Sequence, residues 1–338
     1  MTVAPLLSVK DLEVSFPTDD GVVRAVRGVS FDLAKGEVLG IVGESGCGKS
    51  VTNMAVMGLL PRTARISGSV KIDDKELVGL LPSEMRKVRG REISMIFQDP
   101  MTALNPVYTV GWQLVETIRA HQDISKKAAM SRAVDYLELV GIPQPDQRVN
   151  AYPHEFSGGM RQRVVIAMAI ANKPRILIAD EPTTALDVTV QAQILETLQR
   201  IRKETDLSIV LITHDLGVLA GMADRLLVMY AGRVAEAGGI DEVFAAPRMP
   251  YTVGLLGAIP GEQTAGRRLN QIKGAPPSLL RVAPGCQFAP RCPVAVDHCR
   301  THEPTLVAVG ADHVVACHEW ERVANDADAR SMFLPVRD

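Results

Sequence analysis

The chain has 338 residues, of which 46% are hydrophobic and 22% charged, as in ordinary folded proteins. Its 37 Lys and Arg against 39 Asp and Glu leave a net charge of −2, which excludes a strongly basic surface for nucleic acid or an anionic membrane. No segment approaches the ~18 consecutive apolar residues of a spanning helix, and Met1–Lys10 lacks a secretory signal pattern. We therefore expect a cytoplasmic location, with any membrane contact made through partner chains.

Short strands come first in the chain. Apolar runs bounded by turn residues predict strands over Leu12–Phe16, Val22–Val26, Val29–Leu33 and Val38–Val42. The last of these runs ends at a glycine-rich loop, which favours a buried parallel strand. A helix is predicted from the residue after Gly48 to about Leu60.

Strands and helices alternate in the middle of the chain. Helical spacing of apolar residues covers Val107 to about Gly141, and a further helix is predicted over Ser157–Ala171. The next elements are predicted as strand Arg175–Asp180, helix Val190–Thr205 and strand Ser208–Thr213. This order indicates an α/β fold, with a mostly parallel sheet covered on both faces and an inserted helical subdomain at about 100–157.

The composition and the pattern of predicted elements change beyond about residue 240. Prolines recur there and the alternation of strands and helices fades. We therefore predict one domain over residues 1–245 and a separate, packed but irregular extension over residues 246–338.

A phosphate-binding loop follows the strand Val38–Val42. The segment GESGCGKS fits the pattern G-x-x-x-x-G-K-[ST] between a predicted strand and a predicted helix. Backbone N–H groups in such a loop point at phosphate oxygens, and the helix adds its positive N-terminal end. The predicted ATP-binding residues are Gly43, Glu44, Ser45, Gly46, Cys47, Gly48, Lys49, Ser50 and Val51. A glycine-rich turn with an accidental Lys-Ser is the alternative, which the flanking strand and helix disfavour.

Three residues around this loop have more specific chemistry. Lys49 is predicted to reach the β- and γ-phosphates, and the Ser50 hydroxyl to join the shell of a Mg²⁺ ion. Cys47 lies beside Lys49 at a helix start, a position that favours a thiolate, although a small filler is the more ordinary interpretation.

Two acids end the apolar strand Arg175–Asp180. Asp180 falls at the carboxyl edge of the sheet, where it can hold Mg²⁺, and Glu181 can act as general base for water. His214 and Gln98 also follow predicted strands, where they could contact the γ-phosphate or the metal. Each would be an unremarkable loop residue if it stood alone.

The order of these motifs over about residues 7–245 resembles the ATP-binding subunits of ABC transporters. The segment FSGGMRQR looks like their signature motif, although Phe156 and Met160 depart from its usual Leu-Ser-Gly-Gly-Gln form. The resemblance implies a P-loop NTPase fold, with a RecA-like parallel core, an antiparallel β subdomain and the inserted helical subdomain. It implies that Ser157, Gly158 and Gly159 make the signature contacts and that Ala185-Leu186-Asp187 forms the D-loop. It also implies that Gln98 is the Q-loop glutamine, which binds Mg²⁺, and that His214 is the switch histidine. Phe16 stands where the family stacks an aromatic ring on adenine, and a core strand Phe explains it nearly as well.

The resemblance also implies how the residues act. In this family two domains sandwich two ATP molecules head to tail, so Lys49, Glu181 and His214 would act on one ATP while Ser157 completes the partner's site. Isolated monomers should then hydrolyse slowly, and ATP binding should close the dimer by its higher affinity for the closed state.

The C-terminal segments PRMPYT and GCQFAPRCP are similar to those of oligopeptide and dipeptide importer ATPases. The resemblance implies a peripheral position at the cytoplasmic face of the membrane, with two permease subunits, a second and generally different ATPase, and an extracytoplasmic peptide-binding protein as partners. Residues Asp99–Val107 would then lie near the permeases. Nickel chelates or another small solute are the alternative substrates.

Four of the five cysteines, Cys286, Cys292, Cys299 and Cys317, cluster in this tail. Four thiolates suit an iron–sulfur cubane or a structural zinc, but the spacing matches neither the zinc-ribbon nor the ferredoxin pattern. Some relatives that this chain resembles carry a [4Fe–4S] cluster at such cysteines, so we rank the cluster first, zinc second and unligated thiols third. Nearby His298, His302, His313 and His318 could replace a ligand, but solvated loop histidines are commoner.

Three other functions fit parts of the sequence. A non-transport ABC-type ATPase for DNA repair or translation would be expected to show coiled-coil insertions, tandem domains or a basic surface. A vestigial ATPase is disfavoured by Glu181 and His214, and an electron carrier leaves most of the chain unexplained.

Overall fold

A computed structural model describes residues 4–99, 103–184, 186–258 and 272–326. These residues form two compact units: one holds 33–37 and 79–212, and the other holds 4–32, 38–78 and the described residues from 213 onward. Within these ranges no helix combines the length and the apolar character needed to cross a membrane.

The strands β1 to β12 are, in chain order, Leu7–Thr18, Gly21–Leu33, Val38–Val42, Arg65–Ile72, Lys75–Glu76, Ile93–Ile96, Ile176–Asp180, Ser208–Ile212, Arg225–Tyr230, Arg233–Gly239, Val307–Ala308 and Val314–Val315. The helices α1 to α12 whose bounds fall within the described residues are Lys49–Val56, Pro82–Val88, Val110–Arg119, Lys126–Leu139, Pro145–Arg148, Gly158–Ile170, Val188–Thr205, Leu216–Met222, Ile240–Ala245, Pro250–Leu256, Asp297–Thr301 and Trp320–Asn325.

The first unit is built on three parallel strands. β7 pairs with β6 on one side and with β8 on the other, with Ile96 opposite Ala179 and Asp180 opposite Ile212. Every residue of these strands is buried, which explains why they are continuous apolar runs rather than alternating ones. The register places the carboxyl ends of β7 and β8, and therefore Asp180, at one edge of the sheet.

Helices α3, α4 and α6 pack together in the same unit. The predicted helical stretch from Val107 to Gly141 is two helices rather than one. The break falls at Ser125, whose hydroxyl accepts a hydrogen bond from the Ala128 N–H at 3.2 Å and so begins α4 as its N-cap.

The second unit contains an antiparallel sheet and part of a mixed one. The order β2-β1-β4-β5 forms the antiparallel sheet, as the family resemblance implies. β3 pairs in parallel with β9, and β10 and β12 then add in antiparallel order. The prediction of two strands at Val22–Val26 and Val29–Leu33 was wrong, because Gly28, at φ 76, bends one long strand β2 without ending it.

The C-terminal extension is more regular than the sequence predicts. β12 pairs with β10, with Val315 opposite Glu236 and Val314 opposite Ala237, and β11 pairs with β12. Strands of two residues are too short to show an alternating pattern, so the sequence predicts irregular chain there. Together with β10 they make the sheet mixed rather than only parallel.

Candidate functional site

The phosphate-binding loop lies between β3 and α1. Gly48 precedes the first helical residue at φ 104, and a Cβ added there would lie 2.5 Å from the Ala25 carbonyl oxygen, so glycine is required. Ser45 and Gly46, near the tip of the loop, are exposed, whereas Ser50 and Val51 are half-buried in the first turn of α1. The loop therefore places backbone N–H groups and a helix start at an accessible surface, as an anion site requires.

Lys49 is positioned by the loop itself. Its Nζ donates to the carbonyl oxygens of Gly43 at 2.6 Å and Glu44 at 3.0 Å, and the residue is only 7% exposed. A buried ammonium held over the loop backbone supplies the positive charge that a bound polyphosphate needs.

Cys47 is a packing residue rather than a thiolate. It is buried, and burial raises the pKa of its thiol, outweighing the opposite effect of the Lys49 ammonium 3.7 Å from its sulfur. The thiolate interpretation from the sequence is therefore wrong, and the filler interpretation holds.

Two further predicted residues belong to the same unit. Phe16 is half-buried near the end of β1, so it is not a fully enclosed core residue. His214 is exposed just before Asp215, whose carboxylate accepts hydrogen bonds from the Gly217 and Val218 N–H groups and caps α8. Contact of Phe16 and His214 with nucleotide stays a prediction.

The first unit holds the acidic pair. Asp180 is buried at the end of β7, and Glu181 follows in the left-handed region at φ 48, with its N–H donating to the Ile212 carbonyl at 2.9 Å. A non-glycine residue there is strained, and such strain is common at functional sites. One carboxylate oxygen of Glu181 accepts from Gln98 Nε2 at 3.0 Å and from the Thr184 hydroxyl at 2.8 Å.

The structure thus joins Gln98 and Thr184 at Glu181, a contact that sequence reasoning did not predict. A threonine three residues after the acid, in the Glu-Pro-Thr-Thr turn, was the available signal.

The signature residues also lie in the first unit. The exposed Ser157 caps α6, and its hydroxyl accepts from the Met160 N–H at 3.3 Å. A Cβ on Gly159 would lie 2.4 Å from the Val190 side chain, so glycine lets α6 approach α7 closely. Asp187 caps α7 by accepting from the Val190 N–H at 2.9 Å, while Ala185 lies outside the described residues. Gly158 has more room, with Leu186 3.8 Å from its added Cβ.

The four clustered cysteines line one small pocket in the second unit, together with Phe288 and His318. All are free thiols, and the Cys286 N–H donates to the Cys299 carbonyl at 2.7 Å. Burial, followed by the neighbouring cysteines, raises the pKa of Cys292 to about 12, and the pKa values of Cys286 and Cys317 are raised as well. Across the described ranges, no group of three or more His, Cys, Asp or Glu could hold a single metal ion.

The histidines of the tail have separate surroundings. His298 stacks on His302 with ring centroids 4.3 Å apart and meets His318 edge-on at 4.5 Å. His313 is buried elsewhere, where its Nε2 lies 2.7 Å from a Glu236 oxygen. Structural pairing therefore accounts for His313.

A parallel sheet, a phosphate-binding loop at the end of β3 and an acidic pair at the end of β7 define a P-loop nucleotide-binding domain. Comparison with known proteins narrows this class. Residues 26–184 match the family described as ABC transporter, and residues 235–299 match the oligopeptide/dipeptide transporter C-terminal region.

Curated relatives agree with both matches. The chain is 55% identical to the dipeptide transport ATP-binding protein DppD of Bacillus subtilis, over 95% of this chain and 97% of that protein. It is 57% identical to the oligopeptide transport ATP-binding protein OppD of Mycobacterium tuberculosis, over 96% of this chain, and spans only 54% of that longer relative. The dimeric, ADP- and Pi-bound structure of the ATP-binding cassette MJ0796 superposes with a TM-score of 0.62 at 28% identity, covering 69% of this chain and 98% of that one. The chain therefore belongs to the ABC transporter family, and it is similar to ATP-binding proteins of oligopeptide and dipeptide transport.

Proposed function

We propose that the chain is the ATP-binding and ATP-hydrolysing subunit of an ABC importer for dipeptides or oligopeptides. The observation that carries the proposal is the accessible loop with its buried lysine, where Lys49 Nζ lies 2.6 Å from the Gly43 oxygen and 3.0 Å from the Glu44 oxygen. The names of the curated relatives support the transported class, since they are peptide transport ATP-binding proteins.

Within this proposal, each predicted residue has its own part in the hydrolytic chemistry. Lys49 stabilises charge on the β- and γ-phosphates, and Glu181 accepts a proton from the attacking water while Gln98 and Thr184 hold one of its oxygens. His214 orders the γ-phosphate or the water. Ser50, Gln98 and Asp180 offer hydroxyl, amide and carboxylate oxygens, which are the donors Mg²⁺ prefers, and a bound Mg²⁺ would neutralise phosphate charge.

We infer that the chain works in a head-to-tail dimer. Ser157 is exposed at the start of α6, where its hydroxyl and the helix N-terminus can meet the γ-phosphate bound by a partner. Gly158, Gly159 and Asp187 complete that surface. The partner is a second ABC ATPase, generally a different chain, and ATP closes the pair while hydrolysis releases it.

We also infer a peripheral position at the cytoplasmic face, through two permease subunits that receive peptide from an extracytoplasmic binding protein. The support is an exposed apolar patch on the helical subdomain: Val107 is 70% exposed, and the exposed rings of Tyr108 and Trp112 stack 3.9 Å apart. Apolar side chains left exposed together are typical of an interaction surface. The domain division at 245/246, with the helical subdomain at about 100–157, belongs to the same proposal.

We propose further that the cysteine pocket of the C-terminal extension holds a [4Fe–4S] cluster. Four cysteines line one pocket, and burial raises the pKa values of the Cys286, Cys292 and Cys317 thiols, a cost that a bound cation removes. The pocket offers the four cysteines that a cubane needs, one for each iron. Cys292→Ser should abolish visible absorbance, iron and acid-labile sulfide, whereas Cys47→Ser should leave all three unchanged; colourless, iron-free protein from anaerobic purification contradicts the cluster.

The decisive test of the ATPase proposal is binding of a fluorescent ATP analogue with Mg²⁺, followed by hydrolysis in the complex assembled with the permeases and second ATPase. Lys49→Ala should lose nucleotide affinity, and Glu181→Gln should lose hydrolysis at its own site by about 100-fold or more while still binding nucleotide. Glu204→Gln, an exposed acid at the far end of α7, is the matched control and should behave as wild type. Nucleotide affinity that does not depend on Lys49 refutes the proposal.

A further inference from the structure

The C-terminal extension reaches the phosphate-binding loop through Arg291. Its guanidinium forms a two-pronged ion pair with Glu44, with N–O distances of 2.6 and 2.8 Å, and its side chain is only 5% exposed. Both residues belong to the second unit. Planar, two-point pairing of Arg with a carboxylate is the strong form of this interaction, and burial protects it from salt.

Aromatic rings hold the guanidinium in place. Arg291 donates to the Tyr230 hydroxyl at 3.2 Å and lies 5.9 Å from the ring centroids of Tyr230 and Phe288. Tyr251 completes the cluster, with its ring 4.6 Å from that of Tyr230 and 5.5 Å from that of Phe288. The aromatic faces add cation–π attraction to the ion pair.

Tyr251 makes a second contact with the loop. Its hydroxyl, on a fully buried side chain, accepts a hydrogen bond from the Glu44 N–H at 2.7 Å. The Glu44 carbonyl accepts from Lys49 Nζ at 3.0 Å. Glu44 is thus held at its N–H by Tyr251, at its carboxylate by Arg291 and at its carbonyl by the phosphate-binding lysine.

We propose that Arg291 and Tyr251 are positioning residues of the nucleotide site, and that through them nucleotide affinity depends on the C-terminal turn between Cys286 and Cys292. The inference rests on the proposed ATP-binding function. Neither residue needs to touch nucleotide, because both act through Glu44. If losing them leaves the loop in its binding-competent form only one-tenth of the time, the apparent dissociation constant rises about 10-fold.

The turn that carries Arg291 is bounded by cysteines. Arg291 ends a single 3₁₀ turn, Ala289–Arg291, and is followed directly by Cys292. The Ala289 N–H donates to the Cys286 carbonyl at 3.0 Å, and Cys286 is tied to Cys299 in turn. Binding or loss of a ligand at the cysteines would therefore move the turn Ala289–Arg291, which carries the Arg291 side chain that pairs with Glu44. The cysteine pocket is connected to the phosphate-binding loop in this way.

The test measures affinity for a fluorescent ATP analogue with the purified full chain. Arg291→Ala should weaken binding about 10-fold, Tyr251→Phe should weaken it less, and Arg291→Lys should recover part of the loss because it keeps the charge without the two-pronged geometry. Glu44→Ala combined with Arg291→Ala should be no weaker than Arg291→Ala alone, because the two residues act as one pair.

The matched control is Glu303→Ala. Glu303 also forms an ion pair with an arginine: both of its carboxylate oxygens accept from one guanidinium nitrogen of Arg27, at 2.7 and 3.0 Å, which joins the extension to β2 rather than to the loop. This variant should lower the unfolding midpoint and leave nucleotide affinity unchanged. If Glu303→Ala weakens binding as much as Arg291→Ala, the effect is general destabilisation and the inference is wrong.

Cys292→Ser tests the connection to the cysteine pocket. It should weaken nucleotide binding in the wild-type background and add nothing in the Arg291→Ala background, since the effect passes through Arg291. Failure of the ATP-site proposal can be told apart from failure of the positioning role. Nucleotide affinity that does not depend on Lys49 refutes the ATP site itself. Affinity that depends on Lys49 but is equal in wild type, Arg291→Ala, Arg291→Lys and Tyr251→Phe refutes only the positioning role.

Discussion

Replacing Glu236 tests how much the contacts between β10 and the C-terminal extension contribute to the free energy of unfolding of the second unit. This fully buried carboxylate in β10 accepts from the backbone N–H groups of Arg248 at 2.6 Å and Met249 at 3.1 Å, and lies 2.7 Å from His313 Nε2. Because His313 directly precedes β12, the single carboxylate joins β10 to two separate parts of the extension.

The magnitude follows from those three contacts. Glu236→Ala leaves two backbone donors and a buried imidazole without their acceptor, and breaking a buried pair by removing one partner costs about 3–5 kcal/mol. His313→Ala removes one charge-assisted hydrogen bond and should cost about 2 kcal/mol. Glu242→Ala is the control, because Glu242 lies 3.5 Å from His313 Nδ1 but is 44% exposed, so its loss should cost under about 1 kcal/mol.

The assay is urea unfolding followed by tryptophan fluorescence and circular dichroism. A loss of about 4 kcal/mol should lower the unfolding midpoint of the second unit by about 1 M or more. Equal midpoints for Glu236→Ala and wild type would refute the reasoning, as would a loss in Glu242→Ala as large as that in Glu236→Ala.

Three smaller predictions concern the site. Gly159→Ala places a Cβ 2.4 Å from Val190, so it should lower the free energy of unfolding by about 1–3 kcal/mol, and adding Val190→Ala should recover part of that loss in the same urea assay. Thr184→Val removes the hydroxyl donor to Glu181, so kcat should fall about fivefold with KM unchanged; an unchanged kcat would show that Gln98 suffices. Because burial raises the Cys47 pKa, iodoacetamide should label Cys47 at pH 8 more slowly than in the unfolded chain, with a rate that keeps rising above the usual thiol range near pH 8.5. Peptide mapping by mass spectrometry measures that rate, and faster labelling than in the unfolded chain would contradict the assignment.

Much of the site was predictable because its chemistry is local in sequence. The loop pattern needs glycines, Lys49 and Ser50 within eight residues, and the structure folds that segment into the expected strand, loop and helix. The strand over Val38–Val42 has the predicted bounds because it is buried throughout and ends at glycine. Asp180 and Glu181 follow from the same logic at the end of β7.

What the sequence did not predict depends on contacts between distant segments. Thr184 and Gln98 donate to the same carboxylate oxygen of Glu181 because the Glu181 backbone is left-handed. Glutamate has no preference for that conformation, so the sequence gives no sign of it. The close approach that explains Gly159 requires Val190 on another helix. The strands β11 and β12 are too short to show a period and form only because β10 offers them an edge.

The extension contacts the phosphate-binding loop at a position that the loop pattern does not specify. The loop pattern fixes two glycines, a lysine and a hydroxyl residue and leaves the others free. This chain uses one free position for Cys47, which packs beneath the loop, and another for Glu44, which the extension grips. Tyr251 and Arg291 both fall within residues 235–299, the segment that matches the C-terminal region of peptide transporters. Since that segment supplies two of the three contacts that hold Glu44, removing it would release the loop, and the nucleotide affinity of the chain should fall.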